Sequence, residues 1–327
     1  MVLFSGSCRF FPGPAGWLGL ALLGGCGKAQ AVRDDAAIGA PSAAVVAVDA
    51  AAPAPAVTLP PYDLEADVRE RIDAARRAVD ASAAPVQVVG GLYVFVAADH
   101  GGPLFDEAVR LANQGLPLLL SGGRFDKPPD RAVTVYAYSN EDRYFEGCAR
   151  LLGKKEACDS PFGRYVMNGR FIVANLTRGV STVLHEMVHP IVQTDDPMAP
   201  AWLDEGIGAL FEVPRFDPPG EIHGWSDWRL TGLQKAIGSV RLEELFSMSD
   251  DGFRDAETLL LHEAEARFLC QWLDEQGLLW RLYRGRKAAG ATDPRGEATF
   301  TQLVGKSPAD VSDTWKRWVS SLRIHGR

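Results

Sequence analysis

The chain has 327 residues with 34 Lys and Arg against 42 Asp and Glu, a formal charge of −8 and no basic cluster. That balance argues against nucleic acid as a partner and otherwise reads as ordinary solubility. Once an unusual N-terminal stretch is set aside, the length suffices for one sizeable core, or for one domain with a helical appendage.

Residues 1–25 carry one charge, Arg9, and an apolar stretch that ends at Leu20-Ala21-Leu22-Leu23. Pro12 and Pro14 interrupt it, and it is short for a membrane span, so it reads as a signal-peptide core. Leu23-Gly24-Gly25-Cys26 resembles the bacterial lipobox, in which the cysteine receives lipid and becomes the new N-terminus. A plain secretory signal with Cys26 incidental is the other reading. Residues 26–61 are dominated by Ala, Val and Pro and have few large side chains to bury, which predicts a flexible tether. The expectation is an exported protein of the bacterial cell envelope, held to a membrane through lipid on Cys26. Removing residues 1–25 deletes only Arg9 and takes the charge from −8 to −9.

The folded part begins with a charged stretch, 62–80, whose sparse apolar positions predict an exposed leading helix. Strands follow at 86–89 and 92–97, rich in Val and separated by Gly90-Gly91. Segment 105–116 has helical spacing, 132–138 alternates as a strand, and 144–152 reads as a helix. Strands at 165–167 and 171–176 flank Asn168-Gly169, a two-residue hairpin signal. Beyond 177 the pattern turns helical, with segments centred on 178–190, 200–212, 257–276 and 309–323. Ser307-Pro308 marks the start of the last helix, and Gly277 suits the end of the one before it. Sheet first and helices afterwards predict an α+β fold, with one region at 62–213 and a helical subdomain at 214–327.

Of the five cysteines, Cys148, Cys158 and Cys270 lie in the folded part. In an oxidising compartment Cys148 and Cys158 can close a short loop, which stabilises by roughly 2–3 kcal/mol. Cys270, in an apolar helical run, reads as a buried free thiol.

The chemistry concentrates in His185-Glu186-Met187-Val188-His189. His185 and His189 are four residues apart, one helical turn, so both imidazoles can reach one ion. Glu186 lies beside them, placed to accept a proton from an attacking water. Two histidines on a buried helix are equally at home as hydrogen-bonded core residues. The next segment tips the balance: Ala201-Trp202-Leu203-Asp204-Glu205-Gly206 reads as a second helix with its own acid. Gly206, Gly208 and Ala209 would let it approach the first, and Thr194-Asp195-Asp196-Pro197 supplies the turn between them. Glu205 then faces both histidines, and three ligands with a water complete a tetrahedral zinc site.

The pairing of His185-Glu186-Met187-Val188-His189 with Trp202-Leu203-Asp204-Glu205-Gly206 resembles the gluzincin clan of metallopeptidases, especially its peptidase MA-like families. The match covers about 181–212. It implies a zincin-like fold: a small twisted sheet, an active-site helix and a helical C-terminal part. It implies Glu205 as third zinc ligand, Glu186 as general base, and a peptide or protein substrate. In such folds the sheet edge beside the active-site helix pairs with the substrate backbone, here 171–176 or its neighbour. A metzincin pattern does not fit, since Val192 and Asp195 stand where Gly and His would be needed. Fifteen residues separate His189 from Glu205, fewer than in the clan's aminopeptidases, and no Gly-x-Met-Glu-Asn string occurs. Exopeptidase action is therefore not implied.

Related enzymes stabilise the oxyanion with a Tyr or His from the helical half, and His262 is the candidate here, with His223 behind it. A surface histidine is the plainer reading of His262. Asp204 and Glu212 read as surface acids before groups that support the ligands. Two other functions fit the same residues: a non-catalytic envelope lipoprotein using the fold as a binding module, and a zinc hydrolase of a non-peptide bond.

Overall fold

The computed structural model describes residues 62–79, 84–153 and 160–324. The signal segment, the tether, Cys26 and Cys158 lie outside these residues. No helix among the described residues is long and apolar enough to cross a membrane.

The fold is α+β. Its sheet contains β1 (Val86–Val89), β2 (Tyr93–Ala97), β3 (Val133–Tyr138), β4 (Gly163–Val166) and β5 (Phe171–Asn175), in the order β1-β2-β3-β5-β4. β2, β3 and β5 are parallel, while β1 and β4 run antiparallel at the two edges. Every residue of β2 and β3 is buried, because helices cover both faces of the sheet. On one face α1 (Leu64–Ala78) and α3 (Glu141–Leu152) pack against Val94, Val96, Tyr136, Tyr138 and Val173. On the other, α2 (Pro103–Leu119) and α4 (Thr182–Asp195) pack against Tyr93, Phe95, Val135 and Ile172.

Two local expectations are corrected. The leading helix is not merely exposed: Ala75 is wholly buried, with Val68 and Ile72 against the same core, and Asp67 is held by Arg71 and Arg170 at 3.3 and 3.0 Å. The β4–β5 connection is not a two-residue turn. Pairing stops at Val166 and Phe171, and Met167–Gly169 form a 3-10 turn. The left-handed position falls on Arg170 (φ 51°), whose guanidinium is tied to Asp67, and not on Gly169.

α4 also runs further than its Pro190 suggests. The proline removes one main-chain hydrogen bond, but Ile191 and Val192 continue into the core and the helix ends only at Asp195. Next come α5 (Ala201–Leu210), a two-stranded pair of β6 (Pro214–Arg215) and β7 (His223–Gly224), and α6 (Arg229–Ala236). These lead to α7 (Leu242–Ser247), α8 (Asp250–Phe253), α9 (Leu259–Glu275), α10 (Leu279–Ala289), α11 (Glu297–Val304) and α12 (Pro308–Ser321). Ser307 caps α12 through the Asp310 amide at 3.2 Å. One core cluster runs from Val89 to Val319, so the stretches before and after residue 213 share their interior. Cys148 is disulfide-bonded, whereas Cys270 is a buried free thiol.

Candidate metal centre

The centre is built where α5 crosses α4. α5 is apolar on nearly every side and is wedged between α4 and α9. Its small residues make this possible, each toward a different neighbour. A Cβ on Gly208 would stand 3.2 Å from the His185 ring. A Cβ on Gly206 would stand 2.7 Å from Cys270 Sγ and 2.9 Å from the Ala266 carbonyl of α9. Gly208 therefore clears the site, while Gly206 serves the packing behind it.

His185 and His189 rise one turn apart on α4, with ring centres 5.0 Å apart. Their Nε2 atoms approach the same oxygen, Glu205 Oε2, at 3.5 and 3.8 Å. One ligand atom from each of His185, His189 and Glu205 lies within 4.8 Å of the others. Two imidazole nitrogens and one carboxylate are a donor set suited to zinc.

The far side of each imidazole is also engaged, and here Asp204 and Glu212 depart from the expectation of surface acids. Asp204 Oδ1 stands 3.0 Å from His189 Nδ1, and Glu212 Oε2 stands 3.5 Å from His185 Nδ1. Each carboxylate favours the tautomer that carries the proton on Nδ1 and leaves the Nε2 lone pair toward Glu205. The sequence held the signal for Asp204, which immediately precedes Glu205. Glu212, one helical turn past α5's glycines, acts only through its anchorage. Arg229 Nη1 grips it at 2.7 Å and also bonds Asp227 at 2.9 Å, and Arg267 Nε reaches the same Asp227 oxygen at 3.1 Å. Asp227, Arg229 and Arg267 carry no signal in the sequence, because Arg267 lies 38 residues beyond Arg229 on another helix and only the fold brings them together.

Glu186 is buried beside the histidines, with Oε2 4.0 Å from His189 Nε2. Its other flank meets the edge strand: a Cβ on Gly163 would stand 2.9 Å from Glu186 Oε1. Glycine at the start of β4 thus leaves space for this carboxylate at the sheet edge.

The charges are arranged to favour a cation. Burial alone would push both imidazoles down. For His185, hydrogen bonds to Glu205 and Glu212 outweigh burial and hold its pKa well above the usual range. For His189, the charges of Asp204 and Glu205 outweigh burial and raise the pKa to about 9. Glu205 is lowered to about 2, since His189, His185 and Arg254 overcome its burial. Glu212 is lowered to about 2 in the same way, by Arg229 and His185. Glu186 moves in the opposite direction: burial raises its pKa, the histidines oppose, and Glu205 and Glu212 add to the rise. The pocket supplies anionic oxygens for which a bound cation is the natural partner.

Of the remaining candidates, His262 on α9 has Nδ1 3.1 Å from the Phe253 carbonyl and its ring against Phe253. Among the described residues no hydrogen bond or ion pair links it to the three-ligand cluster. His223 sits between Asp274 and Glu221 at 2.7 and 2.9 Å, a local polar contact of β7. His100 is exposed, and His325 lies outside the described residues. Compared with protein-family models and with curated proteins, the sequence matches neither a family model nor a curated protein.

The Nδ1 contacts carry a direct expectation. If the three residues hold zinc, Asp204→Asn and Glu212→Gln, which keep shape while removing charge, should each lower zinc affinity by roughly 10–100-fold. Competition against a chelator of known affinity measures it, and wild-type affinity in both variants would refute the assignment.

Proposed function

We propose that this chain is a zinc-dependent peptidase of gluzincin type on a zincin-like α+β scaffold, with His185, His189 and Glu205 as ligands and Glu186 as general base. The observation that carries the reading is the convergence of both Nε2 atoms on Glu205 Oε2, with a buried Glu186 beside them at the open edge of β4. A bound zinc ion would lower the pKa of a water and polarise a carbonyl.

The residues of the chain supply the rest. Glu186 takes a proton from the attacking water as its oxygen bonds to the carbonyl carbon. It then delivers that proton to the leaving nitrogen as the C–N bond breaks. Burial raises the Glu186 pKa, which suits a group that must hold a proton between the two steps. The substrate backbone has a partner in β4. The Asn175 amide bonds the Phe162 carbonyl at 2.8 Å, which fixes the alternation along the pair. Phe162, Arg164 and Val166 turn their main-chain groups toward β5, and Gly163 and Tyr165 turn theirs outward. A peptide laid along that edge adds a strand and presents its own carbonyls beside Glu186.

The test pairs elemental analysis with a broad peptide library on the purified chain. Near one zinc per chain together with zinc-dependent cleavage is expected. Absence of zinc, or zinc without cleavage of any peptide, overturns the peptidase reading.

A further inference from the structure

The two oxygens of Glu205 face different ways. Oε2 meets both imidazoles, whereas Oε1 lies 4.0 Å from Arg254 Nη2. Arg254 therefore stands one carboxylate's width from the space the ligands enclose. It differs from the other nearby cation in what it is bonded to. Arg229 is buried and bonds Glu212 and Asp227 through Nη1, with Glu263 3.5 Å from Nη2. The Arg254 side chain is half exposed, and 4.0 Å is beyond hydrogen-bond reach. Among the described residues its guanidinium makes no hydrogen bond, and Glu205 and Asp250 act on it through charge alone.

Its place is nevertheless fixed. Arg254 closes α8, and its amide bonds the Asp250 carbonyl at 3.1 Å. The Asp250 side chain accepts from the Ala201 amide at 3.1 Å, which ties α8 to the first turn of the helix that carries Glu205. Phe253, the residue before Arg254, is buried, and its carbonyl meets His262 Nδ1 at 3.1 Å. His262 thus braces the turn that presents Arg254.

Charge then decides what Arg254 can meet. Glu186, Asp204, Glu205, Glu212 and Glu263 surround the imidazoles, so away from the proposed zinc itself an anionic oxygen of a substrate meets mostly negative charge beside the ligands. Among the described residues paired with these carboxylates, Arg254 is the half-exposed cation. We propose that the Arg254 guanidinium contacts the substrate directly and takes an anionic oxygen of the bound peptide, at the attacked carbonyl or at a terminal carboxylate. The proposal rests on the peptidase reading for its substrate class, and on geometry alone for its anion.

The experiment uses the zinc-loaded full chain with Arg254→Ala and Arg254→Lys. Binding of an N-phosphoryl dipeptide, whose phosphoryl oxygens stand in for the anion, is measured calorimetrically beside kcat and KM on peptides with free and amidated C-termini. Arg254→Ala should keep its zinc and bind the phosphoryl dipeptide at least about tenfold more weakly, with Arg254→Lys in between. A kcat loss of about 10²–10³-fold, equal for free and amidated peptides, identifies the attacked carbonyl. A rise in KM confined to free carboxylates identifies the terminus. Unchanged phosphoryl-dipeptide binding in Arg254→Ala, or no binding to wild type, overturns the proposal. Loss of zinc from Arg254→Ala overturns it as well, because the residue would then act only through Glu205. Weakened binding in Arg254→Ala beside a wild type that binds the probe but cleaves no peptide sinks the peptidase reading and leaves the anion contact standing.

Discussion

On the proposed peptidase reading, Glu186→Gln should retain about one zinc per chain and lose turnover by about 10²–10⁴-fold, the usual contribution of a positioned acid–base group. The amide has nearly the shape of the carboxylate, so the clearance against Gly163 is preserved, yet it cannot accept a water's proton. Glu205→Ala gives the contrasting result. It removes the oxygen on which both Nε2 atoms converge, so zinc occupancy falls together with activity. Elemental analysis beside steady-state kinetics on both variants separates the two roles. Normal turnover in Glu186→Gln, or full zinc retention in Glu205→Ala, would show that the roles are misassigned.

Arg229→Met should destabilise the fold by about 3–5 kcal/mol, because Glu212 loses the buried cation that grips it and Asp227 keeps only Arg267. For a folded unit of this size that corresponds to a fall in Tm of roughly 6–10 °C. The same variant frees Glu212 from its anchor, so zinc affinity falls with stability. Calorimetric melting of the metal-free and metal-loaded protein reads both effects. A wild-type melting temperature would show that the buried ion network carries no weight.

The legible parts of this molecule were the local ones. The two histidines, Glu186 and Glu205 declare themselves through one helical turn and one helical hairpin, and the buried strands through their β-branched runs. What the sequence hid depends on contacts distant along the chain. Nothing near Glu212 reveals that Arg229 and Asp227 will enclose it, and nothing near Arg254 reveals that α8 will set it beside Glu205. His262 was singled out for its residue type, but the Phe253 carbonyl occupies one of its ring nitrogens. Short helices such as α7 and α8 escaped because four to six residues give too little periodicity to read. Pro190 concealed the true length of α4, since core burial beyond it outweighs one lost hydrogen bond.

A sheet edge that takes a peptide, as proposed for β4, is also exposed to another copy of the same strand. β4 limits that hazard by its brevity, since four residues offer too few main-chain bonds to hold two molecules together. Arg164, exposed in the middle of the strand, adds to this. Antiparallel pairing of two copies would draw two guanidinium charges into the same neighbourhood, a repulsion that a substrate lacking that charge does not meet. On the proposed reading, the shortness of β4 and the charge on this strand favour a substrate peptide over a second copy of the chain.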